Sequence, residues 1–246
     1  MSNLQCGYMH SKDRQRNLFK WILALQALLI CSLLVFLGNW QLHRAAEKEQ
    51  LLLQFTQGEL KQNSSAAPIH LFDKIELSGQ LLTDHYFFLD NRTWQGQVGY
   101  EVIAALKTNQ AHVELISLGW LAAPRDRNLL PSLTLPGSLL NVIAYADKPS
   151  KSLLLGDDTW TQSWPKRIQQ LDVSKISSAL NTPVSEWLYR PVSQVIPELT
   201  LTWKPVVMPP QRHTGYAVQW YGLATAWLIC SAFLARKMFI NKESSV

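Results

Sequence analysis

Two short blocks hold the residues best suited to chemistry: His43-Arg44, and Arg212-His213 followed by Tyr216 and Trp220. A neutral imidazole is a strong metal ligand and can bind the iron of a haem. Flat apolar side chains such as Tyr216 and Trp220 line a porphyrin, and they lie four residues apart, which puts them on one face of a helix. Arg44 and Arg212 each adjoin one of the two histidines and suit the charge-assisted pairing that porphyrin propionates need. The competing reading is that all six residues (His43, Arg44, Arg212, His213, Tyr216 and Trp220) are ordinary anchors at a membrane boundary.

Other chemistries lack their parts. The chain has no phosphate-cradling glycine loop, no Gly-x-Ser-x-Gly elbow and no His-Glu-x-x-His. His70, His85 and His112 have no second ligand at metal spacing, and Asp84-His85 has no evident nucleophile to activate. Cys6, Cys31 and Cys230 all fall outside residues 43–213, so that region has neither disulfides nor thiolate metal sites. Met208 is its only methionine, which argues against a Cys- or Met-based copper carrier. No structural metal is expected.

The elements that hold the two blocks are legible from charge. Residues 21–42 and 214–235 are two 22-residue stretches without Asp, Glu, Lys or Arg. A bilayer core about 30 Å thick needs roughly 20 helical residues, so each stretch suffices. The first exceeds a signal-peptide core and no Ala-x-Ala-like cleavage site follows it, so it reads as an uncleaved anchor. His43 leaves the first span and His213 precedes the second, which brings both histidines to one membrane surface.

Residues 1–20 carry a net +3 and residues 236–246 a net +2, so the whole +5 of the chain sits on two short tails. The positive-inside rule puts both tails in the cytoplasm and residues 43–213 in the periplasm. The pI of about 9.1 is therefore a topology signal, and no nucleic-acid partner is expected. The expected domains are 1–20 basic tail, 21–42 span, 43–213 outer domain, 214–235 span and 236–246 basic tail. No Arg- and Ser-rich presequence precedes the anchor, which favours the inner membrane of a bacterium.

Residues 43–57 read as a helix with an apolar face through Leu51, Leu52 and Phe55, and 62–68 as a linker. Between residues 68 and 145 short alternating segments dominate, around Ile75 and Leu77, Val98 to Val102, and Val113 and Leu115, with a continuous run at 139–145. Asp90-Asn91, Gln95-Gly96, Thr108-Asn109-Gln110 and Leu135-Pro136-Gly137 read as their turns. Asp172 caps a short helix, and strand character returns at 186–190 and 198–203. The expected fold is membrane α+β: two transmembrane helices flanking a mainly antiparallel β domain, curled towards a barrel, with a few short helices.

Four blocks carry a family resemblance. They are Gly38-Asn39-Trp40-Gln41-Leu42-His43-Arg44 with Lys48, Asn91-Arg92 with Gly96 and Gly99-Tyr100, Gly119-Trp120, and His213 with Tyr216-Ala217 and Trp220. In this order, between two spans, they resemble the Surfeit locus 1 family, membrane proteins that assist assembly of cytochrome c oxidase. The resemblance implies a biogenesis factor rather than an enzyme, which holds or delivers haem a. It also implies the large oxidase subunit and the haem a synthesis enzymes as partners, and is compatible with a homo-oligomer. It favours His213 as the iron ligand over His43, whose position the family motif leaves open. Ser117-Leu118 stand where the family has Asn-Arg, so an ion pair made by that arginine is missing or replaced.

Overall fold

The computed structural model describes residues 2–62, 68–149, 158 and 160–240. Most of the expected linker and the end of the second basic tail lie outside the described residues. Leu53–Pro205 form one compact unit, and the segments on either side of it form another.

The second of these units is helical. Helix α1 spans Ser2–Gln57 without a break, about 84 Å at 1.5 Å per residue. It thus unites the basic tail, the first span and the helix expected up to residue 57. The other long helix, α3, spans Pro210–Ile240 and has proline in its first turn, where a missing N–H is harmless. Leu18–Gln57 and Pro210–Lys237 are each long and apolar enough to cross a bilayer, and their apolar stretches are almost wholly exposed.

The sheltered positions on both helices follow a heptad. On α1 they include Ala27, Cys31, Leu34, Gly38, Gln41, Ala45 and Lys48, and on α3 His213, Ala217, Trp220, Ala224, Trp227 and Ser231. Steps of four and three alternate, the spacing of two helices pairing along one seam. Small residues (Gly38, Ala45, Ala217, Ala224) let the backbones approach closely, as helix pairing in lipid requires. A Cβ on Gly38 would stand 2.8 Å from the ring of Tyr221. Tyr221 Oη donates to Asn39 Oδ1 at 2.7 Å and Trp227 Nε1 to the carbonyl of Ala27 at 3.1 Å. The contacts descend one helix as they ascend the other, so the pair is antiparallel.

The other unit is a closed barrel. Strands β1 (Leu60–Gln62), β2 (Lys74–Trp94), β3 (Gln97–Lys107), β4 (Val113–Ala122), β5 (Leu139–Asp147), β6 (Lys166–Ile168) and β7 (Val184–Pro191) form it with the short helix α2 (Val173–Leu180). The order β2-β3-β4-β7-β5 returns to β2, because β2 pairs β5 through residues 74–80 and β3 from residue 80 onwards. The β4–β7 pair is parallel and the other four in the ring are antiparallel. Inward residues such as Ile75, Leu77, Phe88, Tyr100, Val102, Ile116, Leu118 and Tyr189 fill the interior. A second core lies outside the ring, where Phe87, Leu89, Ile103, Leu115 and Leu188 pack against Ile168 and against Ile176 of α2. Asp172 caps α2 by accepting from the N–H of Lys175 at 3.1 Å, and Asn181 ends it with a left-handed φ of 49°.

Three expectations need correction. The strands are not uniformly short, since β2 alone has 21 residues. Asp90-Asn91 is not a turn but a bulge inside β2, with Asn91 at φ 58°, and the turn lies at Gln95-Gly96 with φ 48° and 79°. Two positive φ values match the twist of a two-residue hairpin, and asparagine tolerates that region where most residues do not. Residues 198–203 make a single bridge, Trp120 to Thr200, instead of a strand.

Candidate functional site

His213 is the fourth residue of α3 and faces the α1 seam, so helix packing holds its backbone. Its Nδ1 lies 2.8 Å from Oε1 of Gln41, while Nε2 is buried and has no hydrogen-bond partner. The residue as a whole is 9% exposed. A nitrogen with a free lone pair and a ring held at its other nitrogen is the donor arrangement that a haem iron needs. The donor chemistry therefore fits. Nε2 is sealed by neighbouring atoms, so a ligand reaches it only when they move.

The other residues read from the sequence do not converge on that nitrogen. Trp220, two turns further along α3, lies on the same face and is half-buried. Tyr216 is 43% exposed and points away from the seam, so it does not share the sheltered face of Trp220. His43 and Arg212 are exposed. Arg44 is paired with Glu47 at 2.8 Å, and its guanidinium lies 5.8 Å from the ring centre of Trp40. The seam adds Gln41, which the residue types alone do not single out. Its signal is a polar side chain at a heptad position that Ala27 and Leu34 fill in the two preceding heptads.

The two central blocks of the sequence, Asn91 to Tyr100 and Gly119-Trp120, meet in the barrel wall. Trp120 Nε1 donates to the carbonyl of Arg92 at 2.8 Å. A Cβ on Gly99 would stand 2.5 Å from the Trp120 indole. Gly119 has φ 134°, a region glycine enters freely, and a Cβ there would press on Leu199 and Thr200 at 3.0 Å. These residues build the wall rather than a pocket.

Beside them is a buried ionic network. Glu101 accepts from Ser117 Oγ at 2.6 Å and Arg190 Nη1 at 2.5 Å, and Arg92 Nε lies 3.4 Å from its other oxygen. Arg190 Nε also donates to Asp147 at 2.6 Å, and its guanidinium stacks 5.1 Å from the Trp203 ring. Burial pushes the Glu101 carboxyl up, but Arg190, Ser117 and Arg92 outweigh it and hold the group below the usual carboxylate value of 4.5. Ser117 thus supplies a hydroxyl at its position, while Arg92 and Arg190 supply the cations. Asp90 pairs with Arg127 at 2.7 Å, not with the neighbouring Arg92.

The remaining histidines have other partners. His112 Nε2 lies 3.1 Å from Glu114, His70 lies beside Lys61 and Asp73, and His85 packs edge-on against Trp164. Asp84 and His85 line an open groove of about 720 Å³ with Thr83, Thr134 and Trp164, and among the described residues neither serine nor cysteine lines it. Among the described residues no three His, Cys, Asp or Glu side chains gather as a metal site.

Two long apolar helices that pair with one another, with a β barrel between them in sequence and a histidine at the start of the second, suggest a membrane-anchored protein. The SURF1 family model matches residues 28–225, and the chain belongs to the SURF1 family. A SURF1-like protein of Rickettsia bellii is 25% identical over 221 residues, covering 83% of this chain and 87% of the relative. One of Rickettsia felis is 23% identical over 230 residues, covering 87% and 97%. Membership is consistent with a role in cytochrome c oxidase assembly, and with an assembly factor rather than an enzyme.

Proposed function

We propose that this protein is a cytochrome c oxidase biogenesis factor that binds or presents haem a while the large oxidase subunit is assembled. The observation that carries the reading is the state of His213: Nδ1 engaged by Gln41 and Nε2 without a partner, at the start of an apolar helix. His213 would ligate iron, and the face of Trp220 would meet the porphyrin. Arg212 and Tyr216, near His213 in sequence, and His43 and Arg44, near Gln41, are exposed and would serve the propionates and the rim. When bound, haem supplies its own redox chemistry, and the chain supplies ligand, orientation and an apolar wall.

The same reading puts the tails in the cytoplasm and the barrel in the periplasm of an inner membrane, from the charge of the tails. The large oxidase subunit and the enzymes that make haem a would be its partners. The test is the visible spectrum of the full chain purified from cells that make haem A. The wild type should carry a haem band and His213→Ala should lose it.

A scaffold that holds oxidase subunits without haem is the second reading. Leu139, Ile143 and Val192 favour it, being exposed apolar residues on β5 and just beyond β7, where the N–H of Val192 donates to the carbonyl of Ile143. Identical haem-free spectra for the wild type and His213→Ala would select it.

A further inference from the structure

An imidazole has two nitrogens, and a neutral ring can give only one of them to a metal. Which one is given depends on where the single proton resides, and the partner of the other nitrogen decides that. His213 Nδ1 lies 2.8 Å from Gln41 Oε1. An amide oxygen has lone pairs and no proton, so the hydrogen between them belongs to Nδ1. Nε2 is then the nitrogen with the lone pair, and it is the one that is buried without a partner.

The surroundings hold this arrangement in place. Gln41 sits on the α1 seam between Gly38 and Ala45, and Ala217 follows His213 one turn along α3; all three small residues are buried. Two polar groups nearby on α1 have other partners: Arg44 is paired with Glu47, and Asn39 accepts from Tyr221. The two partners are 172 residues apart in the chain, so the bond that holds this tautomer forms only when the helices are paired.

We propose that Gln41 is a positioning residue for haem. It holds the proton on Nδ1 of His213, fixes the plane of the ring and so would present the Nε2 lone pair to the iron of a bound haem. This rests on the haem reading above and adds to it that ligation depends on α1 as well as on α3. A hydrogen bond that merely joined two helices would have no bearing on the iron. A positioning bond changes how strongly the ligand binds it.

The test has two arms, both on the full chain in detergent micelles. In the first, ¹⁵N NMR of the haem-free protein reads the protonation of each His213 nitrogen. The expected result is an Nδ1–H ring in the wild type and a shift towards the Nε2–H form in Gln41→Leu. A wild-type ring protonated on Nε2, with the Gln41 amide nitrogen donating to Nδ1, overturns the proposal whatever the protein does with haem.

In the second arm the protein is purified from cells that make haem A, and resonance Raman reads the iron–imidazole stretch. Gln41→Leu should lower haem affinity about 10- to 100-fold, the usual effect of losing such a partner. Gln41→Glu, a stronger acceptor, should retain haem and raise the stretching frequency. Haem in the wild type with unchanged affinity and frequency in both variants overturns this proposal alone. A wild type without haem overturns the haem reading, and this role of Gln41 with it.

Discussion

Trp120 donates its indole N–H to the backbone oxygen of Arg92, 2.8 Å away, and the ring of the same indole covers Gly99. Three segments are thereby pinned in one place: the bulge of β2, the start of β3 and, about twenty residues further on, the end of β4. The tryptophan is 8% exposed, so both its ring and its polar edge contribute. Trp120→Phe keeps most of the packing and loses the bond, which should lower stability by about 1 kcal/mol. Trp120→Ala should lower it by about 3–5 kcal/mol, the range for emptying a large aromatic site. Urea unfolding of the detergent-solubilised chain measures both, and an unchanged midpoint for Trp120→Phe would show that the bond contributes nothing.

Asn91 occupies left-handed backbone at φ 58° inside a strand. Most side chains are disfavoured there by roughly 1–2 kcal/mol. Asn91→Gly should therefore leave the unfolding midpoint nearly unchanged, while Asn91→Val should lower stability by at least about 1 kcal/mol. Equal midpoints for the two variants would remove backbone strain as the reason for asparagine.

Glu101 should make the barrel sensitive to acid. Its carboxyl is held below the usual value of 4.5, so the unfolded chain takes up a proton at a higher pH than the folded chain does. The stabilisation is complete above that value and is lost as pH falls through the lower folded-state value. Glu101→Gln should cost about 3–5 kcal/mol at neutral pH, towards the lower end because Asp147 still holds Arg190. The gap between variant and wild type should narrow steadily below about pH 4. Urea midpoints across that pH range give the answer, and a constant gap would sink the assignment.

Gly38 admits the ring of Tyr221 to the helix seam. Gly38→Val should overpack that contact by about 1–3 kcal/mol and push the helices apart. Cys31 lies half-buried on the same seam and Cys230 is exposed, which provides a reporter. With Cys6 and Cys230 replaced by serine, a small thiosulfonate reagent should label Cys31 several-fold faster in Gly38→Val than in the parent. Unchanged labelling would mean that the seam does not depend on the glycine.

Much of the architecture is written in local signals. Absence of charge marks the two apolar helices, and Asp172 with apolar residues at the right spacing marks α2. Signals that depend on distant partners are harder to read. Asp90-Asn91 has the composition of a turn, and only the ladder to β3 shows that the chain continues through it. Residues 198–203 alternate like a strand but find a single bridging partner in Trp120. Within an apolar segment every residue looks alike to hydropathy, so the heptad of Gly38, Ala45, Ala217 and Ala224 emerges only from the pairing. The same holds for the site. His213 is conspicuous as an imidazole beside a span, whereas Gln41 matters through a contact made across 172 residues.

The place of β7 in the ring has a consequence for how the chain is made. The ribosome delivers β2, β3, β4 and β5 before it, yet β7 is the strand inserted between β4 and β5. Until residues 184–191 emerge, the ring is open at that gap and two strands present bare hydrogen-bonding edges. The nascent domain thus passes through an unsealed stage, already tethered by its first helix, at which it is most prone to pair with the wrong strand. Nonsense changes upstream of Val184 should yield an aggregating product, whereas truncations just beyond Pro191 still contain every strand of the ring.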